Sequence, residues 1–248
     1  MTETFVIRAA ERGFDRLTAK DNPTYVSGHP DGFITRHSSF NFHEYQSGRA
    51  GFGHIRVFGD EVFTGAGTGY SMHPHHNFII CAFVLDGRLT HLNTLGHIDE
   101  LGRDDFYAFS AGSGGQHCEV NIRADNMNAI YLWMVPDALY HQPGYQLGHF
   151  DRATQGNRLV QLIGPEPGAI PIPQQIRVSR LITDQAGIFE YHPASPAHGV
   201  YTFVVEGEAA CEDLVLRRRD SAGITGAETI RIETGAGPAD LLLVETAM

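Results

Sequence analysis

The sequence Met72-His73-Pro74-His75-His76-Asn77 is followed further along the chain by Ser110-Ala111-Gly112-Ser113-Gly114-Gly115-Gln116-His117-Cys118-Glu119. Each segment carries two metal-binding side chains separated by one residue. Side chains two residues apart in a β-strand point to the same face, so each pair can converge on one point. We interpret the rest of the chain as the scaffold that brings these two strands together.

The four side chains that can meet are His73, His75, His117 and Glu119. Three imidazoles and one carboxylate form a common first coordination shell for a divalent transition metal with open positions. Histidine is abundant, with 14 among 248 residues, so chance alone supplies about one His-x-His pair. The metal-site hypothesis therefore rests on the combination of the two segments and not on either pair alone.

The first half of the chain is rich in short segments with strand character and has no convincing helical period before residue 138. The dipeptide Asp86-Gly87 after one of these segments favours a hairpin. The regular spacing predicts an all-β barrel or sandwich. The predicted strands include Ser39–Tyr45, Phe78–Leu85, Leu89–Leu95, Phe106–Phe109 and Ala129–Val135.

A second set of strands follows a proline- and glycine-rich stretch from Gly164 to Pro173. These strands are predicted at Ile176–Thr183, Gly187–Tyr191, Val200–Val205, Ala209–Leu216 and Leu241–Val244.

The two halves show a trace of repetition, because Phe83-Val84-Leu85-Asp86-Gly87 matches Phe203-Val204-Val205-Glu206-Gly207 at an offset of 120 residues. A duplicated β-barrel explains this similarity. At the same offset, Pro193 and Ser195 stand where the first half has its two paired histidines, and no histidine follows His198. Only the first half can therefore build this metal site.

Composition narrows the classes of function. The formal net charge is −11, and the longest basic run is Arg217-Arg218-Arg219, so direct binding to nucleic acid is disfavoured. We see neither a signal peptide nor an apolar stretch long enough to span a bilayer, so no membrane partner is expected. Three cysteines without a Cys-x-x-Cys spacing favour reduced thiols and a cytoplasmic location.

The arrangement of Gly67 followed by His73-Pro74-His75 and a β-rich run to Gly87 resembles the first motif of the cupins. The stretch from Ser110 to Glu119 is similar to the Ser-Ala-Gly-x-Gly-Ile-x-His-Ser-Glu pattern of the pirin branch of that superfamily. Upstream, Phe40-Asn41-Phe42 with Tyr45 resembles the Phe-Ser-Phe segment of pirins. The resemblance covers about residues 35–160 well, and the C-terminal half matches a second cupin in outline.

The sequence also departs from the pirin pattern around the motifs. Pirins usually carry an acidic residue in the stretch occupied here by Phe78-Ile79-Ile80. Cys118 replaces a serine between the paired ligands, and Gly115 stands where isoleucine is usual. All four ligand positions match, so these changes bear on the substrate more than on the metal.

The resemblance implies a bicupin with two RmlC-like β-barrel domains. Residues 1–145 would form the metal-binding cupin domain, and residues 146–248 would form a cupin domain without a metal site. It also implies a divalent metal at His73, His75, His117 and Glu119. Fe(II) is the first expectation, and Mn, Ni, Cu, Co and Zn are the alternatives, since the general affinity order cannot single one out.

Described pirins suggest two functions. The first is a quercetin 2,3-dioxygenase, which would use O₂ to cleave a flavonol-like aromatic substrate, with Glu119 as a ligand or as the base that takes the hydroxyl proton. The alternative is a non-enzymatic, metal- or redox-responsive regulator that acts through a protein partner. A third interpretation is a degenerate cupin with a structural metal.

Overall fold

The computed structural model describes residues 2–23, 26–42 and 48–248, and the regular secondary structure of these residues is almost entirely β-strand. The all-β prediction is confirmed. The helices are a 3-10 turn at Ala9–Glu11 and a single α-helical turn, α1, at Arg152–Gln155. In the described residues, no helix has the length and apolar character needed to cross a membrane.

Strands follow one another closely along the whole described chain. In its first part they are β1 (Glu3–Ile7), β2 (Gly13–Thr18), β3 (Val26–Ser27), β4 (Phe33–Asn41), β5 (Ile55–Thr64), β6 (Thr68–His75), β7 (Ile79–Asp86), β8 (Leu89–Asn93), β9 (Ile98–Leu101), β10 (Asp105–Ser110), β11 (Gly115–Asn121), β12 (Met127–Met134) and β13 (Gly144–His149). In its second part they are β14 (Leu159–Ile163), β15 (Ile176–Thr183), β16 (Gly187–Tyr191), β17 (His198–Glu206), β18 (Glu208–Cys211), β19 (Leu214–Arg217), β20 (Ser221–Thr225), β21 (Ile230–Thr234) and β22 (Ala239–Ala247).

The chain forms two compact units, each built on two antiparallel sheets. The unit called here the first barrel comprises Gly13–Gly51 and Ile55–His149. The unit called the second barrel comprises Met1–Arg12, Phe52–His54 and Phe150–Met248. The division into domains 1–145 and 146–248 stays a prediction, and β1 pairs with β20 of the second barrel.

In the first barrel, the larger sheet has the order β13-β10-β7-β12-β5-β4-β2, and the smaller has the order β3-β6-β11-β8-β9. The two motif strands, β6 and β11, are direct neighbours, as the sequence predicts. The core between the sheets contains fully buried Phe63, Tyr107 and Phe109. Each large apolar side chain buried there stabilises the fold by about 1.5–3 kcal/mol relative to an exposed one.

The second barrel repeats this plan. Its larger sheet has the order β1-β20-β17-β22-β15-β14, so β17, β22 and β15 occupy the places that β7, β12 and β5 have in the first barrel. The smaller sheet has the order β16-β21-β18-β19. The prediction of a duplicated barrel is confirmed.

Two local predictions are wrong. Asp86-Gly87 does not close a hairpin, because β7 pairs with β10 and β12 while β8 pairs with β9 and β11. The turn at Gly87, with φ at +71°, moves the chain from one sheet to the other. The single strand predicted at Ala209–Leu216 is a hairpin of β18 and β19. Glu212 lies between these two strands in the left-handed region, with φ at +52°.

The predicted strand at Ser39–Tyr45 ends early, since β4 stops at Asn41. Tyr45 itself lies outside the described residues.

Candidate metal centre

The register of β6 and β11 brings the two motif segments together. His117 lies directly opposite His73, and Gly115 lies opposite His75. Next to these pairs the register shifts, so that Glu119 faces Tyr70. This bulge places one extra residue in β6. Tyr70 and His73 are three apart and would point to opposite faces of a regular strand, yet both are buried here.

The smaller sheet also accommodates proline and glycine at specific points. Pro74 of β6 pairs with Gln116 of β11 on one side. On the other side of β6, the described part of β3 pairs only with Tyr70 and Gly69 and does not extend to Pro74. A residue without an amide proton is tolerated at such an open position. At Gly69, a β-carbon would lie 2.1 Å from the carbonyl oxygen of Glu119, so only glycine allows this approach.

Three of the four predicted side chains form a tight cluster. One ligand atom from each of His73, His75 and His117 lies within 4.8 Å of the others. The ring centroids are 4.5 Å apart for His73 and His117, and 4.9 Å apart for His75 and His117. Three imidazoles at this separation suit one divalent transition metal.

Hydrogen bonds behind the cluster fix two of these rings. The Nδ1–H of His73 donates to the carbonyl oxygen of Ser71 at 2.7 Å, which leaves Nε2 with its lone pair. Nδ1 of His117 lies 3.1 Å from Nε2 of His91.

The buried Nε2 of His117 tests whether the residues fit a metal. This atom has no hydrogen-bond partner among the described residues. Leaving a buried polar atom unpaired costs about 1–3 kcal/mol. If Nδ1 of His117 donates to His91, its Nε2 presents a lone pair, and a cation would satisfy that atom. The donor set therefore fits a bound divalent metal.

Glu119 is buried next to the three histidines but is not part of their cluster. Its Oε2 lies 3.8 Å from Nε2 of His117, while its Oε1 accepts a short hydrogen bond from the hydroxyl of Tyr107. One carboxylate oxygen is thus held by the protein, and the other faces the cluster. Cys118, between two inward residues, is only half-buried and does not join the cluster either.

Burial controls the ionisation of the site. It raises the pKa of Glu119 to about 8, against a smaller lowering by the Tyr107 hydrogen bond. Burial also lowers the pKa of His73 and, more strongly, that of His117, where the neighbouring His73 and His75 act in the same direction. Near neutral pH, His73 and His117 of the metal-free site are therefore neutral, as metal binding requires, and Glu119 can hold a proton.

A cavity of about 650 Å³ opens beside the cluster, a size typical of small-molecule sites. Aromatic side chains form part of its wall: Trp133 lies edge-on to His75 at 4.7 Å between ring centroids, and Phe78 is 5.8 Å from Trp133. Its polar lining includes a second buried carboxylate, Glu61, which accepts a hydrogen bond from Tyr70 at 2.7 Å. The cavity therefore combines flat apolar walls with buried polar groups.

The sequence does not identify several of these neighbours. His91 is not among the four side chains that the sequence assigns to the metal site, yet it is fully buried behind His117. The alternation of side chains along β8 could have indicated an inward position for His91, because Leu89, His91 and Asn93 are two residues apart and all three are buried. Tyr107 and Glu61 carry no local signal, because their roles depend on strands that the fold brings together.

Comparisons with known proteins agree with this fold. Residues 26–134 match the family model described as Pirin, and residues 162–246 match the model described as Quercetinase C-terminal cupin domain. Quercetin 2,3-dioxygenase of Escherichia coli K12 is 27% identical over 220 residues, which cover 87% of this chain and 93% of that protein.

A pirin-like protein of Caulobacter vibrioides is 27% identical over 237 residues, which cover 94% of this chain and 97% of that protein. Among solved structures, the bacterial pirin YhhW from Escherichia coli, in complex with nickel(II), superposes with a TM-score of 0.84. It is 22% identical, and the match covers 99% of both chains. This likeness extends the shared fold to the full length of the chain.

Proposed function

The chain belongs to the pirin family of the cupin superfamily, and on that premise we propose that it is a metal-dependent dioxygenase that cleaves flavonols such as quercetin. The observation that carries the proposal is the cluster of three histidines beside a buried carboxyl group, at the edge of an aromatic-walled cavity. His73, His75, His117 and Glu119 would hold the metal. Fe(II) is the first candidate, and nickel(II) gains support from the similar Escherichia coli protein.

When bound, the metal supplies Lewis acidity that lowers the pKa of a substrate hydroxyl and favours its reaction with O₂. Glu119 would receive the hydroxyl proton on Oε2, the oxygen that Tyr107 does not hold. Its raised pKa, about 8, makes the protonated carboxyl stable near neutral pH in the metal-free protein. Glu119 would therefore act either as a ligand or, once released from the metal, as the base that takes this proton.

The cavity walls would orient a flat polyphenol. Trp133 and Phe78 offer apolar ring surfaces next to His75, where an aromatic substrate can pack edge-on or face-on. The hydroxyl of Tyr131 lines the same cavity, is buried, and has no hydrogen-bond partner among the described residues. A substrate hydroxyl would satisfy this atom, so Tyr131 favours a ligand with a second polar group.

The proposal is tested by loading purified protein with Fe²⁺, Mn²⁺, Ni²⁺, Cu²⁺ or Co²⁺ and following quercetin absorbance together with O₂ consumption. We expect at least one metal to give coupled loss of both. Bound metal measured by elemental analysis, with no turnover across the panel, would reject the dioxygenase. A partner that binds only the metal-loaded protein would then favour a regulator.

A pair of variants separates metal binding from turnover. His75→Ala removes one member of the cluster and should abolish stoichiometric metal as well as activity. His29→Ala changes an exposed histidine of the same barrel and should retain both. Full metal content in His75→Ala would show that the site is elsewhere.

A further inference from the structure

The second barrel has its own cavity, of about 330 Å³, although its sequence lacks the paired histidines. The cavity is lined by residues at the start of β15 and β17 and near the end of β22. These strands correspond in sheet order to β5, β7 and β12. Residues of β5 and β12, together with Phe78 just before β7, line the cavity of the first barrel. The second cavity therefore occupies the corresponding part of the repeated fold.

His198 lines this cavity and corresponds to Phe78 at the offset of 120 residues found in the sequence repeat. Phe78 forms part of the aromatic wall of the first cavity. At this position the first barrel has an apolar ring, whereas the second barrel has a ring that can form hydrogen bonds.

A buried carboxylate holds His198 in place. Oε1 of Glu245 accepts hydrogen bonds from Nδ1 of His198 at 2.6 Å and from the backbone amide of Ala194 at 2.7 Å. Oε2 accepts a hydrogen bond from the hydroxyl of Tyr191 at 2.8 Å. Glu245 is only 1% exposed, so these three donors replace the water that its charge has lost.

This arrangement fixes which nitrogen of His198 is available. Because Nδ1–H donates to Glu245, Nε2 carries a lone pair and can accept a hydrogen bond. A carboxylate–histidine pair of this kind orients the ring and fixes its tautomer. The polar chemistry that His198 offers to the cavity is therefore that of an acceptor.

Arg177 supplies the complementary donor. Its Nη1 lies 3.9 Å from Oε2 of Glu245, and its side chain also lines the cavity. Its positive charge offsets that of Glu245, so the two together leave the site close to neutral. A hydroxyl group that donates to His198 and accepts from Arg177 matches this pair without adding a charge.

The remaining wall includes Gln174 and Gln175 and an apolar part, and the apolar part indicates the body of the ligand. Pro165, Pro171, Ile172 and Ile176 line the cavity. Rigid proline and branched isoleucine surfaces suit a small ring. We propose that the second barrel binds a small phenol, whose hydroxyl lies between His198 and Arg177 and whose ring packs against these residues. This inference is independent of catalysis in the first barrel.

Fluorine NMR of para-fluorophenol added to the full-length protein, with metal removed by a chelator, tests the proposal. His198→Gln should weaken binding at this site about tenfold or more, because a flexible amide does not hold its carbonyl oxygen where the ring aligned by Glu245 holds Nε2. Arg177→Met provides a second variant, and it keeps most of the side-chain length. His192→Gln, at an exposed histidine of the same unit, should bind as the wild type does.

Two controls identify the site and the chemistry. Trp133→Ala alters the first cavity and should leave the His198-dependent binding unchanged. Para-fluoroanisole, which has no hydroxyl proton, should lose at least as much affinity as the His198 variant shows. Thermal unfolding of each variant checks that it is folded.

Several results would overturn the proposal. These are absence of binding to the folded wild type, equal affinity in wild type and both site variants, and equal affinity for the phenol and its methyl ether. Binding that disappears in Trp133→Ala but persists in His198→Gln would place the phenol in the first barrel instead. Stronger binding of para-fluorobenzoate than of the phenol would indicate an anion site.

Discussion

Raising the pH of the metal-free protein from 6.5 to 8 should destabilise the first barrel, because Glu119 must then lose its proton inside the core. Burial raises the pKa of this carboxyl from 4.5 to about 8 on folding. Between pH 4.5 and about 8 the folded chain binds one more proton than the unfolded chain, so the free energy of unfolding falls as the pH rises. The stabilisation that this proton provides is complete below the pKa of Glu119 in the unfolded chain. It is lost as the pH rises through the pKa of Glu119 in the folded chain.

The magnitude follows from proton linkage. Each pH unit in this window costs about 1.4 kcal/mol, and the loss levels off near the folded pKa. The contribution of Glu119 to the free energy of unfolding should therefore drop by about 1.5 kcal/mol between pH 6.5 and 8. His73, His91 and His117 have lowered pKa values and act with the opposite sign. An unfolded histidine is still half protonated at pH 6.5, so each of the three offsets at most about 0.4 kcal/mol of this drop.

Urea unfolding at several pH values measures this loss. Trp133 is the only tryptophan and lies in the first barrel, 4.7 Å from His75, so its fluorescence reports on this unit. Glu119→Gln removes the titrating group and should remove its contribution of about 1.5 kcal/mol from the profile. Burial also raises the pKa of Glu61, and the difference between wild type and variant isolates Glu119 from that background.

Restoring a divalent metal should reduce the fall, since a cation favours the ionised carboxylate. The same slope in wild type and in Glu119→Gln would refute the assignment of the buried proton to Glu119.

Three further substitutions probe the first barrel. Tyr107→Phe leaves Oε1 of Glu119 without its donor and should lower kcat/KM for the flavonol by about tenfold or more, with metal content retained; an unchanged value would remove Tyr107 from the mechanism. Tyr131→Phe should raise KM for quercetin more than it lowers kcat, and equal KM values would mean that the Tyr131 hydroxyl does not contact the substrate. Gly112→Ala should lower the free energy of unfolding by about 2 kcal/mol or more, because φ is +50° and the new methyl would lie 2.0 Å from the carbonyl oxygen of His141. A variant whose urea midpoint equals that of the wild type would contradict this.

Local rules account for the part of the site that the sequence predicts. The side-chain alternation of a strand is enough to put His73 with His75, and the resemblance to pirins points to the partner strand. Neither indicates the bulge between β6 and β11, which depends on how two separate strands pair. That bulge decides that Tyr70 faces the interior together with His73, so the polar lining of the cavity becomes visible only in the fold.

Turn signals have a similar limit. Asp86-Gly87 correctly marks a reversal with a left-handed glycine, but the dipeptide cannot tell whether the next strand pairs with the previous one. In this barrel, close packing against Asn126 places Gly87 at a corner, since a β-carbon there would lie 2.2 Å from the Asn126 carbonyl oxygen. The matching Gly207 stands at the corresponding corner of the second barrel, with Pro238 in the same role.

The repeated scaffold keeps its cavity in both barrels while the chemistry changes. In the first barrel the buried carboxylate, Glu119, lies on β11 of the smaller sheet, whereas Glu245 of the second lies on β22 of the larger sheet. Glu245 is therefore not the remnant of a metal ligand, and Pro193 and Ser195 occupy the positions of the paired histidines. Loss of the histidines removes one kind of site from the second barrel without filling its cavity. A hydrogen-bonded His198 and its neighbour Arg177 then give that cavity a recognition chemistry of its own.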